Sequence, residues 1–282
     1  MSTLAERLGY SADKRLLIIN CDGLGLCHAS NHGVYAAIRR GVATSASIMV
    51  PCPWASQAAA DSRVTDDIGV HLTLTCEYEH YKWGPITQAP SLLGGGGGFA
   101  GSIADVWDHA DVGETYRELK SQIERAMQWG IDVTHLDSHM QILPLRPEFF
   151  DVLMELAVEF ALPVRLPPAE LEESVGFPFR KLADSENVFA PDQVIRHSGI
   201  GGRTALLGVL NSLQPGVTEI YMSPAIGSGE LRSLAADPDS MVEDLDLLLD
   251  WKPILSDLER LDIDLISWRI VRDAQRQHVS SE

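Results

Sequence analysis

The sequence has no Cys-x-x-Cys pair, no Gly-x-Ser-x-Gly elbow and no P-loop, and no apolar run approaches the roughly 20 residues a membrane span needs. Positive charge is also scarce, with 22 Lys and Arg against 40 Asp and Glu and a formal net charge of −18. Each absence excludes a class of function. Without paired cysteine motifs neither a zinc ribbon nor a disulfide framework is expected. The scattered Cys21, Cys27, Cys52 and Cys76 read as reduced thiols packed in a core. Without the elbow there is no serine-hydrolase nucleophile, and "GLGLCH" lacks the spacing of a dinucleotide fingerprint. An acidic field repels phosphate backbones and anionic headgroups, so nucleic acid and membrane are excluded as partners and a small neutral or cationic substrate is left. The opening "MSTLAERLGYSADKR" is polar and charged, with no apolar centre of the signal-peptide kind, which predicts a cytoplasmic location.

What is present is an ordinary globular composition, 45% hydrophobic and 22% charged over 282 residues, enough for one sizeable core and a single domain over 1–282. "RLLIINC" (Arg15–Cys21) is a continuous apolar run of strand length, the mark of a strand covered on both faces. Strands and helices then alternate. "ATSASIMVP", "IGVHLTLT", "DVTHLDSHMQIL", "PVRLP", "GVTEIYMSP" and "DLISWRI" read as the further strands, with amphipathic helices such as "GETYRELKSQIERAMQWG" between them. About seven such units predict a parallel sheet with helices outside. Pattern alone leaves open whether the sheet closes into a barrel. Residues 76–112 contain "SLLGGGGGFAGS" and form a long glycine-rich loop, either a lid or a linker without function.

In parallel α/β folds function gathers where strands end. The residues there are Asp22, His71, His135, Asp137, His139, Arg165, Ser223 and finally Trp268 and Arg269. His71 lies within apolar "GVHLTLT", where a buried imidazole pairs with a backbone carbonyl or coordinates something. His135, Asp137 and His139 alternate in "THLDSHM", which places them on one side of a strand, as a solvent-facing edge or as a buried cluster with a shared partner. One carboxylate and two imidazoles form a common ligand set for a divalent ion, with positions left for water. A hydrolase of this kind also wants a second carboxylate to take a proton from that water. After Asp22, however, the chain continues with Gly23.

The motifs together resemble the YdjC family, also called the ChbG/HpnK family of carbohydrate deacetylases. "GVHLTLT" and "THLDSH" match the family's G-x-H-L-x-L-T and T-H-x-D-S-H, "GVATSASIMV" matches its T-S-x-S-x-M-V segment, and "GVTEIYMSP" its late strand. The family's opening N-A-D-D-F-G appears as Asn20-Cys21-Asp22-Gly23-Leu24-Gly25. The resemblance implies a distorted (β/α) barrel of about seven parallel strands with outer helices. It also implies a divalent metal, zinc or magnesium with manganese or cobalt as alternatives, at the strands' C-terminal ends. It implies His71 and His139 as ligands and Asp22 as catalytic base, with Gly23 standing where the family carries its acid ligand. Asp22 then enters the ligand set, and His135 or Asp137 handles the remaining proton. Arg165 and Ser223 are the substrate-contacting candidates. The implied reaction is removal of an acetyl group from an N-acetylated sugar, and a homodimer is compatible with it. A ligand-binding or regulatory protein without turnover and a hydrolase of another amide or ester are the competing expectations.

Overall fold

The computed structural model describes residues 3–281. Seven strands are present among them: β1 (Arg15–Leu24), β2 (Ser45–Ile48), β3 (Ile68–Leu72), β4 (Val133–Ser138), β5 (Gln193–Arg196), β6 (Gly216–Met222) and β7 (Ile263–Leu265). All pairings are parallel, in the order β4-β3-β2-β1-β6-β5, with β7 joined to β1. β6 occupies one edge of β1 from Arg15 to Cys21. The opposite edge is shared, with β7 pairing along Arg15–Leu17 and β2 from Asn20 upward. The result is a curled parallel sheet, a half-barrel flanked by helices, which agrees with the expected architecture.

Several elements differ from the sequence expectation. "PVRLP" supplies only a single bridge, Val164 to Leu136. Pro163 has no N–H to give, and Pro167 and Pro168 stop the run, so the ladder is limited to Arg165 N–H donating to Leu136 O at 2.9 Å and Leu136 N–H to Pro163 O at 3.0 Å. The short β5 is additional. The last strand stops at Leu265, and Trp268 begins the helix Trp268–Ser281. Asp67 closes that turn by accepting the Arg269 N–H at 2.7 Å. The segment 76–112 is ordered: Trp83, Leu92, Phe99 and Val106 are buried beneath it, and it includes the helix Ile103–His109. Gly94–Gly98 forms its tip, closed by a Gly94 N–H to Gly98 O bond of 2.8 Å. None of these five glycines lines the main cavity.

The two faces of the sheet are chemically distinct. On β1, Leu17, Ile19 and Cys21 pack in the large cluster with Val34 and Ala37 of the helix His28–Arg40. Leu16 and Ile18, on the other face, meet Val217, Phe189, Trp268 and Val271 in a second cluster. Period-two alternation and the strand registers put Asn20, Asp22, Ser45, Ser47, His71, Asp137, Glu219 and Tyr221 on that same inner face. It is apolar at the N-terminal end and increasingly polar toward the C-terminal rim.

Candidate active site

At that rim the strand ends converge on a cavity of about 410 Å³, lined by Asp22, His71, His139 and Arg165 on one side and by His197, Ser223 and Asp244 on another. Asp22, His71 and Asp137 offer ligand atoms that all lie within 4.8 Å of one another, a group able to hold a metal ion. The β3–β4 register sets His71 directly opposite Asp137, and Asp137 Oδ1 lies 2.8 Å from His71 Nδ1. The other ring nitrogen, Nε2, faces His139 Nδ1 at 3.2 Å. His139 Nε2 in turn lies 3.0 Å from Glu77 Oε2. Both imidazoles therefore have one nitrogen held by a carboxylate and one turned toward the other ring. One proton between the two facing nitrogens makes them a hydrogen bond; with none, the two lone pairs are set to share a cation.

Behind the histidines, Arg165 ties three carboxylates together. Its Nη1 and Nη2 donate to the two oxygens of Asp22 at 2.9 Å each, and its Nε and Nη2 to Glu219 at 2.9 and 2.7 Å. Nη1 also lies 2.8 Å from Asp137 Oδ2. Asn20 donates to Asp22 Oδ1 at 3.0 Å, and Ser47 Oγ–H to Asp137 Oδ2 at 2.8 Å. Burial opposes the charge on Arg165, but Asp22, Glu219 and Asp137 outweigh it and push the guanidinium pKa well above its ordinary value. For Asp137 burial alone would raise the pKa, yet His71 and Arg165 hold the carboxyl well below the usual range. Burial likewise works against charge on His71, and Asp137 reverses the balance, so its pKa is raised. Glu219, deeper in the fold, is pushed up by burial. One guanidinium among three carboxylates leaves the rim with surplus negative charge, which suits a bound cation.

The sequence candidates thus separate. Asp22, His71, Asp137, His139 and Arg165 come together. Ser223 lines the far wall, where its backbone N–H donates to Asp244 Oδ2 at 2.9 Å. His135 shares the inner face with Asp137 but does not reach the cavity. It is fully buried, stacked on Trp268 with ring centroids 4.5 Å apart, and its Nε2 has no partner. Burial lowers its pKa to about 3, so the imidazole is neutral and shut away from substrate. Gly69 makes room for it, since a Cβ there would lie 2.5 Å from the ring. His139 is not on the strand: β4 ends at Ser138, and His139 starts a tight turn whose next residues, Met140 and Gln141, have φ of +54° and +55°. Arg165 is committed to internal carboxylates, which leaves little of it for a substrate.

Three participants escaped the sequence reading: Ser47, Glu77 and Glu219, which accepts from the indole N–H of Trp268 at 3.1 Å. A lone acid within the apolar "GVTEIYM" was a legible signal for Glu219; Glu77, in a polar loop, carried none. Gly23 has φ of +89°, and a Cβ there would meet nothing within 4 Å. The backbone conformation, and not a lack of space, favours glycine at this position.

Comparison with known proteins places this geometry in context. The chain is 34% identical over 280 residues, 96% of its length and 98% of the relative's, to a Thermus thermophilus protein named carbohydrate deacetylase. It is 31% identical over 168 residues, 57% of its length and 62% of the relative's, to a Yersinia pestis chitooligosaccharide deacetylase. A crystal structure from Enterococcus faecalis V583, described as that of a cellobiose-phosphate cleavage protein, superposes with a TM-score of 0.79 at 25% identity. That match covers 90% of this chain and 98% of the other. Residues 16–253 match the family model of YdjC-like proteins, and the chain belongs to that family.

Proposed function

We propose that this protein is a divalent-metal-dependent deacetylase acting on an N-acetylated carbohydrate. The observation that carries the reading is the pair of facing imidazole nitrogens, His71 Nε2 and His139 Nδ1, 3.2 Å apart beside the Asp22 carboxylate. Bonds of about 2.0–2.1 Å at tetrahedral angles put two nitrogen ligands about 3.3 Å apart, so the donor set fits an ion. His71 and His139 would hold it beside the Asp22 carboxylate, with Asp137 Oδ1 2.8 Å from the other His71 nitrogen. When bound, zinc or magnesium (or manganese or cobalt) polarises the acetyl carbonyl and acidifies water.

The chain's own residues do the rest. Arg165 and Asn20 fix both oxygens of Asp22, so its carboxylate is positioned to take a proton from the attacking water and to return it to the departing nitrogen. A C–O bond forms as the C–N bond breaks, and the products are acetate and the amine. Asp137 is fully buried, with Oδ2 held by Arg165 and Ser47 and Oδ1 2.8 Å from His71 Nδ1, and orients His71 rather than carrying protons to substrate. The far wall, with Ser223 and His197, receives the sugar.

The test is acetate release from N-acetylated chitooligosaccharides by protein of measured metal content, before and after chelation and metal return. Release that tracks the metal supports the proposal; metal-replete protein that releases none rejects it. The competing reading, a binding protein without turnover, rests on Gly23. It gains if acetate appears only after Gly23→Asp. A panel of other amides and esters separates a different bond specificity.

A further inference from the structure

The histidine that lies off the strand has the least support from the fold. β4 ends one residue before His139, and the backbone beyond it turns through two consecutive non-glycine residues at positive φ. Such conformations are strained for residues with a Cβ and persist only where surrounding contacts over-determine them. His71 is gripped by its strand, by Asp137 and by burial, whereas the His139 ring has two polar contacts among the described residues. One is His71 Nε2, at 3.2 Å from its Nδ1; the other is Glu77 Oε2, at 3.0 Å from its Nε2. Glu77 follows β3 in a separate loop and lines the same cavity as both histidines.

A carboxylate can only accept, so Nε2 must carry the proton in this contact, which leaves the Nδ1 lone pair directed at His71. Without that acceptor a neutral imidazole is free to place its proton on Nδ1, where it would block donation to any ion. We infer that Glu77 is a positioning residue: it fixes the tautomer and ring orientation of His139 so that Nδ1 stays an open donor opposite His71 Nε2. It thereby restores to the rim, at second hand, a carboxylate that position 23 does not supply. The value of this arrangement for metal binding rests on the reading proposed above, but the tautomer itself does not.

Two measurements keep these apart. In metal-free protein, ¹⁵N shifts of the labelled histidine rings should show His139 as the Nε2–H tautomer. Glu77→Ala should lose that preference, and Glu77→Gln, whose carbonyl still accepts, should keep it. A His139 proton on Nδ1 in the native protein, or a tautomer unchanged by Glu77→Ala, overturns the inference. Equilibrium dialysis with zinc or manganese then reads the consequence, an affinity about 10–100-fold weaker in Glu77→Ala with most of it recovered in Glu77→Gln. If Gln falls as far as Ala while the tautomer holds, Glu77 acts through its charge and the positioning role is rejected. Native protein that shows the expected tautomer but binds neither metal sinks the deacetylase proposal and leaves the inference about Glu77 standing.

Discussion

The two ends of the sheet both bury acids, and they treat them in opposite ways. At the N-terminal end, Asp67 accepts from the Thr134 hydroxyl and from the Arg269 N–H, and Asp66 is gripped by Arg39. Each acid there has its own donors. At the C-terminal rim, three carboxylates share one arginine and two imidazoles point at each other beside a cavity. Buried charge that is locally neutralised holds a fold together. Buried charge left in surplus beside open space is available for chemistry.

The largest effect should come from the rim. Asp22→Asn is expected to lower the rate of acetate release per folded molecule about 10²–10⁴-fold, the usual worth of general acid–base catalysis, and to lower the unfolding midpoint in urea as well, because the amide turns an NH2 toward Arg165. At the other end turnover should be spared. Asp67→Ala strands a buried hydroxyl and a backbone N–H, so it should cost about 1–3 kcal/mol in urea titration and leave kcat per folded molecule unchanged. If Asp67→Ala abolished turnover in folded protein, the division between the two ends would fail.

His135, between the two ends, gives a pH signature. Its folded pKa of about 3 lies below the ordinary 6.5, because burial disfavours the charged ring. The unfolded chain therefore takes up the extra proton, and stability falls as pH drops from about 6.5 toward 3. One proton amounts to about 1.4 kcal/mol per pH unit within that window. Urea unfolding of His135→Phe and native protein between pH 7 and 5 should show a shallower acid-side slope in the variant. The smallest change is Gly23→Asp. Space is open there but φ is positive, so the variant should fold with a loss of about 1 kcal/mol and bind a divalent ion more tightly, as read by dialysis and melting.

The half-barrel was legible because continuous apolar runs such as Arg15–Cys21 can only be strands covered on both faces, and because parallel strands need helical crossovers between them. The gathering of Asp22, His71 and Asp137 followed from the rule that strand ends meet, since register and alternation are properties of the backbone. Alternation did not describe His139, because the strand gives out one residue earlier. It grouped His135 with the site because it fixes a face and not a depth: the same inner face holds Trp268 in its middle and the cavity only at its rim. Proline chemistry ended the expected fifth strand, a local signal outweighed by "VRL". Glu77 was not legible, since its role depends on which loop folds back over the sheet; Trp268 stood among the strand-end residues, but its hold on Glu219 depends on which helix packs there.

Trp268 connects the deepest layer to the reactive one. Its indole holds Glu219, Glu219 holds Arg165, and Arg165 holds Asp22. The aspartate emerges from the ribosome very early and the tryptophan very late. A nascent polypeptide with the whole metal-facing set already made still lacks the last support of its base, so competence is acquired only when synthesis has passed Trp268 and its helix has docked.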